Sequence, residues 1–427
     1  MAAPFPKQAG AAPSRWDWVE RSVWTTRMLD RLAQSEEQTV WYSLWDKVCG
    51  EDNLFQASLE VILNRGSAGV DGQTTTQFKI EWREQIARLQ QELREDLYRP
   101  QPARRVWIDK AGSPEKRPLG IPAVRDRVVQ AAVRHVLEPI FERDFAEQSY
   151  GFRPGRGCLG ALARVEELLE DGCTWVVDAD LKSYFDTIPH DRLLERVSAR
   201  VADGRVLALL RAFLEAGVME GGKGWKPTER GTPQGGVISP LLANLYLNPL
   251  DHQMAAAGYE MVRYADDLVI VCRTEATAQA ALAELAGWVE EAGLKLHPVK
   301  TRIVNAAEKG GFDFLGYHFE RYQEGTGKKW FGKKAQAKLR ASLRAKTSRL
   351  RSGSMSEIIA DINPTLRGWH AYYRYSLPSA LVSVNGWVRR RLRSIQRWRL
   401  GRKGGSRGRE NPELPNAWFA DQGLFCL

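Results

Sequence analysis

The segment YEMVRYADDLVIVCR, residues 259–273, decides the fold. It reads as a strand, a tight turn and a second strand, with the adjacent carboxylates Asp266 and Asp267 held between the apolar runs MVRY and LVIVC. An isolated Asp-Asp pair in a loop is usually only a turn, and four letters are weak evidence. Between strands that read as buried the pair means more, because two like charges taken out of water are costly unless a cation neutralises them. Hard oxygen ligands of this kind suit magnesium. A second carboxylate source is then required, and VVDADLKSYFD, residues 176–186, supplies it. Asp178 and Asp180 end an apolar strand and share a face by the period of two. If that strand lies beside the 259–273 hairpin, Asp180 joins Asp266 and Asp267 around two ions roughly 3.5–4 Å apart, which activate an attacking hydroxyl and stabilise a leaving pyrophosphate. Asp178 is read as a hydrogen-bonded strand end.

Outward from these segments the pattern alternates between helix and strand. ISPLLANLYLNPLDHQM (238–254) and AQAALAELAGWVEEAG (278–293) are helical, and IPHDRLLERVSARVADG (188–204) is a helix opened by Pro and closed by Gly. Upstream, ARRVWID (103–109) alternates as a strand, AGSPEKRP is a turn and LGIP is extended. RDRVVQAAVRHVLEPIFERDF (125–145) is a long helix expected to break near Pro139. Residues 16–64 and 79–97 are helical around the loop GSAGVDG (66–72), and residues 1–15, rich in Ala and Pro, read as disordered. GFDFLGYHF (311–319) is extended, and beyond it the chain reads as helical and basic.

A chain of 427 residues with 43% hydrophobic and 27% charged residues is a globular protein of two or three domains. No run of about eighteen apolar residues marks a membrane span, and MAAPFPKQAGAAPSRWDW lacks a signal core. The five cysteines form no CxxC pair, which argues against a disulfide framework or zinc module and for a reducing, cytoplasmic setting. The net charge of +10 is unevenly spread: residues 328–409 hold 22 Lys or Arg against Glu357 and Asp361, so this segment is +20 and the rest −10. Such concentration over 82 residues with interleaved aromatics points to nucleic acid.

Taken in order, GSAGVDG, KRPLGIPAVRDRVVQAAV, LEPIFERDFAEQSYGFRPGRG, VVDADLKSYFDTI, RGTPQGGVISPLLANLYL, RYADDLVI, GLKLHPVKTRI, GFDFLGYHF and LRGWHAYYRYS with WVRRRLR cover nearly the whole sequence. This ordered set resembles the bacterial group II intron reverse transcriptase and maturase family. The resemblance implies an α+β right-hand polymerase fold, with fingers and an antiparallel palm sheet over residues 16–325, including an N-terminal extension. An all-helical thumb or maturase domain follows over 326–400. Residues 401–427 are then a basic linker and short tail, NAWFADQGLFCL, that either contacts DNA or packs on the thumb; no endonuclease domain is expected. The implied activity is RNA-directed DNA synthesis from deoxynucleoside triphosphates on an RNA template and DNA primer or target. Intron RNA is the partner in splicing and mobility, and the setting is a cytoplasmic ribonucleoprotein. A related enzyme recruited to defence, repair or diversity generation, or a splicing-only maturase, is the alternative.

By the same resemblance Asp180, Asp266 and Asp267 are the catalytic ligands of two Mg²⁺ ions. Lys110 and Arg117 hold the incoming triphosphate, where IDKAGSPEKR departs from the family's IPKPDG–KR and an Arg fork suits phosphate. Tyr184 is read either as the aromatic gate against a 2′-hydroxyl or as a core ring, with Phe185 adjacent. Gln234 contacts nucleotide or template, and Gly235 and Gly236 permit close backbone approach or a tight turn. Lys300 sits near the leaving phosphate. Phe314, Leu315 and Gly316 read as core by composition and as primer grip by resemblance. In the last helix Val388, Leu392 and Ile395 form an apolar stripe, leaving Arg389, Arg390, Arg393 and Arg397 to follow a phosphate backbone. Trp369, His370, Tyr372, Tyr373 and Tyr375 either stack on bases or fill the bundle core.

Overall fold

The β-branched and apolar runs form eleven strands in the computed structural model, which describes residues 2–6, 16–36, 39–109, 116–221, 224–323, 326–401 and 414–427. These are β1 (Ala103–Asp109), β2 (Lys116–Ile121), β3 (Trp175–Asp180), β4 (Val218–Glu220), β5 (Gly224–Lys226), β6 (Glu260–Tyr264), β7 (Asp267–Cys272), β8 (Arg302–Asn305), β9 (Phe312–Phe314), β10 (Tyr317–Gln323) and β11 (Thr326–Phe331). They form sheets ordered β2-β1-β4-β5, β6-β7-β3-β8 and β11-β10-β9. The chain divides into a larger unit, Gln8–Ala161 with Val177–Ile303, and a smaller one, Met1–Lys7, Leu162–Val176 and Val304–Leu427. β10 and β11 pair antiparallel, so β11 is a strand where only helix was expected.

Two helices form the core of the larger unit. Val124–Glu142 and Ser239–Ala256 are apolar on most of their circumference and buried along most of their length, as helices enclosed on several sides must be. Pro139 does not break the first. A proline in a helix strips the carbonyl four residues earlier of its donor, and here the His135 carbonyl instead accepts from Trp24 Nε1 at 3.1 Å. The helix from His190 closes at Ser198, earlier than expected, and Asp203 caps a further helix, Gly204–Glu215, accepting from the amides of Arg205 and Val206.

In the smaller unit, helices Lys333–Lys346, Met355–Tyr373 and Pro378–Arg399 pack around Leu343, Ile358, Ile362, Leu366, Val384, Val388, Leu392 and Ile395, which include the predicted stripe. Ser354 and Glu357 close a capping box on the second helix. The tail belongs to this core: helix Asn416–Asp421 buries Phe419, and Asn385 Nδ2 donates to the Leu427 carbonyl at 3.0 Å. Residues 402–413, expected as a linker, lie outside the described residues, as do residues 7–15. Residues 2–6 are described, and Phe5 is 3% exposed rather than loose. Among the described residues no helix is long and apolar enough to cross a membrane.

Candidate active site

β7 lies next to β3 in the sheet, and Asp180 at the end of β3 is near enough to Asp266 in the β6–β7 turn for its charge to act on it. Tyr264 pairs with Asp267 across the turn, and Ala265 takes a left-handed φ of 57°, uncommon for a residue with a Cβ. Burial, with the negative charge of Asp180 adding to it, raises the Asp266 carboxyl above its ordinary range, and the positive charges of Arg117 and Lys300 oppose the shift. Lys300 Nζ is ion-paired to Asp180 Oδ2, on a turn in which the His297 amide donates to the Asp180 carbonyl at 2.8 Å. Asp180, Asp266, Arg117 and Lys300 thus act on one another electrostatically. Asp178 binds Arg302 Nε at 3.2 Å, in keeping with its reading as a strand end. Asp267 opens β7, but among the described residues no three His, Cys, Asp or Glu side chains are arranged to hold a metal ion. Lys110 lies outside the described residues.

The structure corrects Tyr184. Its side chain is 1% exposed and its hydroxyl donates to the Ala243 carbonyl at 2.6 Å, so it is a core ring. Ser183, at φ 50°, turns the chain into the short helix Tyr184–Thr187, which leaves Phe185 half-exposed. The Phe185 carbonyl accepts from the Thr232 amide at 2.7 Å, so the TPQGG loop fixes its backbone. The half-buried Gln234 uses its carbonyl to accept from the Gly120 amide at 2.7 Å. Gly235 has φ 111°, and a Cβ there would meet the Gly120 carbonyl oxygen at 2.5 Å, so the turn reading of this glycine holds and β2 is what it approaches.

Arg263 carries no role in the sequence pattern beyond its place in the strand MVRY. It is 0% exposed, and its five N–H donors meet five acceptors: Nε with Asp251 Oδ1 (2.7 Å), one terminal nitrogen with Asn244 Oδ1 (3.0 Å) and the Ala265 carbonyl (2.9 Å), the other with Ser149 Oγ (2.8 Å) and Asp251 Oδ2. Its carbonyl also accepts from the Tyr150 amide at 2.8 Å, and Asn244 Nδ2 donates to the Gly151 carbonyl at 2.6 Å. The β6–β7 turn is therefore tied to segment 149–151 and to helix Ser239–Ala256 through one guanidinium. The signal was available: an Arg inside the apolar strand MVRY needs a buried acid.

In the smaller unit Phe314 is 1% exposed and belongs to the core, while Leu315 is half-buried and Gly316 exposed. Arg390 is exposed, and Arg389 and Arg397 are half-buried. Arg393 is not available to phosphate: it is 8% exposed, its Nε donates to the Leu414 carbonyl at 2.9 Å, and a terminal nitrogen donates to Asn416 Oδ1 at 2.8 Å. The aromatics are engaged within the unit as well. Trp369 and Tyr373 pack on the core, Tyr375 is buried, His370 stands against Phe425, and Tyr372 donates to the Leu315 carbonyl at 2.8 Å.

Two family profiles match the chain: "Reverse transcriptase (RNA-dependent DNA polymerase)" over residues 108–319 and "Group II intron, maturase-specific domain" over residues 336–411. Protein YkfC of Escherichia coli is 37% identical over 292 residues, covering 59% of this chain and 76% of YkfC. The group II intron-encoded protein LtrA of Lactococcus lactis is 37% identical over 232 residues, covering 53% of this chain but only 38% of LtrA. Among solved structures, telomerase from Candida albicans in complex with a fragment of telomeric RNA aligns with a TM-score of 0.43 at 12% identity, covering 75% of this chain and 64% of that one. With the ordered motifs, the paired carboxylates and both profiles in place, the chain belongs to the group II intron reverse transcriptase and maturase family.

Proposed function

We propose that the protein is an RNA-directed DNA polymerase that also binds group II intron RNA to assist splicing and mobility. The observation that carries this reading is the convergence of Asp180 and Asp266 with Lys300 and Arg117 at the turn that Arg263 holds. Two mutually repelling carboxylates fit a hard divalent cation, and Mg²⁺ is commonly held by one or two carboxylates together with substrate phosphates. Asp180 and Asp266, with Asp267 beside them, would hold one or two such ions, which when bound supply Lewis-acid polarisation and charge neutralisation at the phosphoryl group. Arg117 and Lys300 bring positive charge to the same place for the triphosphate of a deoxynucleotide. Phe185, not Tyr184, presents its ring as the sugar gate. The turn Leu315–Gly316 grips the primer, and Arg389, Arg390 and Arg397 follow the RNA backbone. LtrA is a bacterial intron-encoded protein, which supports a cytoplasmic ribonucleoprotein as the working form.

The test is primer extension on an RNA template with Mg²⁺ and deoxynucleotides, comparing the full chain with Asp266→Ala beside an RNA-binding assay. Synthesis by the wild type alone, with equal RNA affinity, is expected. Tight intron-RNA binding without synthesis by either would replace the polymerase reading with a splicing-only maturase.

A further inference from the structure

We propose that Phe5 is a positioning residue for the primer, acting through the turn Leu315–Gly316; the proposal rests on the reading of that turn as the primer grip. Of residues 2–6 only Phe5 is fully buried. Pro4 and Pro6 flank it, and proline restricts φ, so little further freedom is lost when the segment docks. The Phe5 ring stands edge-on to Tyr317, with centroids 4.9 Å apart and planes at 82°, and lies 5.4 Å from Tyr375 and 6.4 Å from Phe319. Lys329 Nζ sits 4.2 Å from its centroid. The Phe5 amide donates to Glu166 Oε2 at 3.1 Å, while Glu166 Oε1 is ion-paired to Lys329, itself 1% exposed. A side chain more than 300 residues away in sequence therefore fills the space behind β10 and completes a buried polar site.

What it touches leads to the turn. Tyr317 is the β10 residue paired with Phe314, and that pair closes the Leu315–Gly316 turn. The Tyr317 hydroxyl donates to the Tyr372 carbonyl at 2.6 Å, and the Tyr372 hydroxyl donates to the Leu315 carbonyl at 2.8 Å. Leu315 has φ 46°, a left-handed conformation that a branched side chain holds only when its surroundings enforce it. Phe5 against Tyr317 is part of that enforcement. Without it the Tyr317 ring loses a wall, and the turn gains alternatives in which the Leu315 carbonyl no longer faces Tyr372.

The test measures dissociation of a fluorescent DNA primer–RNA template duplex from the full chain by anisotropy, which needs no catalysis, beside the deoxynucleotide KM and thermal melting. Phe5→Ala should release the duplex roughly tenfold faster with the nucleotide KM within about twofold of wild type, and Phe5→Leu should restore most of the slow release. Gly316→Ala places a Cβ 2.7 Å from the Tyr373 hydroxyl and reports on the grip itself. Fast release from Gly316→Ala with wild-type release from Phe5→Ala would overturn the role of Phe5 and leave the grip intact. Wild-type release from both variants would remove the grip reading and the inference with it. Should Phe5→Ala fail to melt cooperatively, a chain lacking residues 2–6 is supplied with the peptide AAPFP: restored slow release supports the proposal, and no restoration at saturating peptide refutes it.

Discussion

Replacing Arg263 by Leu should damage the fold and the proposed chemistry separately, and a second substitution should pull the two apart. Both Arg263 and Asp251 have side chains at 0% exposure. Truncating the guanidinium leaves Asp251 as an unpaired charge in the interior, a loss of about 3–5 kcal/mol, against a total stability of roughly 5–15 kcal/mol for a typical domain. Asn244, Ser149 and the Ala265 carbonyl lose their donors as well. Arg263→Leu combined with Asp251→Leu removes both charges, and replacing a buried ion pair by apolar side chains is often neutral. The pair should therefore recover at least about 2 kcal/mol of what the single variant lost, read by urea unfolding followed through tryptophan fluorescence. Primer extension should not recover. The Ala265 carbonyl still lacks its charged donor, a hydrogen bond of about 1.5–3 kcal/mol, which converts to roughly 10- to 100-fold in single-turnover rate if the turn must be held to react. A double variant no more stable than Arg263→Leu would refute the buried-pair argument. A double variant with wild-type extension would refute the claim that Arg263 holds the turn.

Phe185→Ala should raise ribonucleotide incorporation relative to deoxynucleotide in the same extension assay, whereas Tyr184→Phe should leave discrimination unchanged and cost about 1 kcal/mol for the lost bond to Ala243; the reverse pattern would return the gate to Tyr184. Stability should also fall as pH rises through the range of two buried acids. Burial raises Asp126 from 3.8 to about 6, against hydrogen bonds from Tyr98 and Gln101, and raises Glu138 from 4.5 to about 7. The folded state then binds more protons than the unfolded one between these values. Each group's stabilisation is complete at low pH and is lost by the folded pKa, by up to about 3 kcal/mol. Urea midpoints from pH 4 to 8 should show this slope, and Asp126→Asn with Glu138→Gln should flatten it.

The hairpin at 259–273 and the strand ending at Asp180 were legible because their evidence is local: apolar runs of strand length with carboxylates at fixed offsets. What stayed hidden depended on partners far along the chain. Pro139 breaks a helix by any local rule, and the indole of Trp24, 111 residues before His135, supplies the missing donor to the His135 carbonyl. Arg393 differs in no local way from Arg390, yet one is held by the tail at Leu414 and Asn416 and the other is exposed. Tyr184 and Phe185 are consecutive aromatics at a junction where the period changes from two to 3.6, and Ser183 at φ 50° decides which ring turns inward. Phe5 was masked by averaging, since an Ala- and Pro-rich composition describes a segment and a single anchoring side chain does not change it.

Arg263 is the instructive case between these extremes. Its partner could not be named from the sequence, but the need for one could. A guanidinium in the middle of a strand whose neighbours are Met, Val and Tyr must either reach water or find an acid in the interior. The period of two places Arg263 on the face opposite Val262, so one face of the strand had to contain a buried carboxylate. Helix Ser239–Ala256 is apolar around most of its circumference except for Asn244, Asn248, Asp251 and a few terminal positions, and Asp251 is its one acid. An unpaired charge on each of two elements that must both be buried is itself evidence that the elements touch. Here that contact places helix Ser239–Ala256 behind the turn bearing Asp266 and hands the turn's backbone to the same guanidinium.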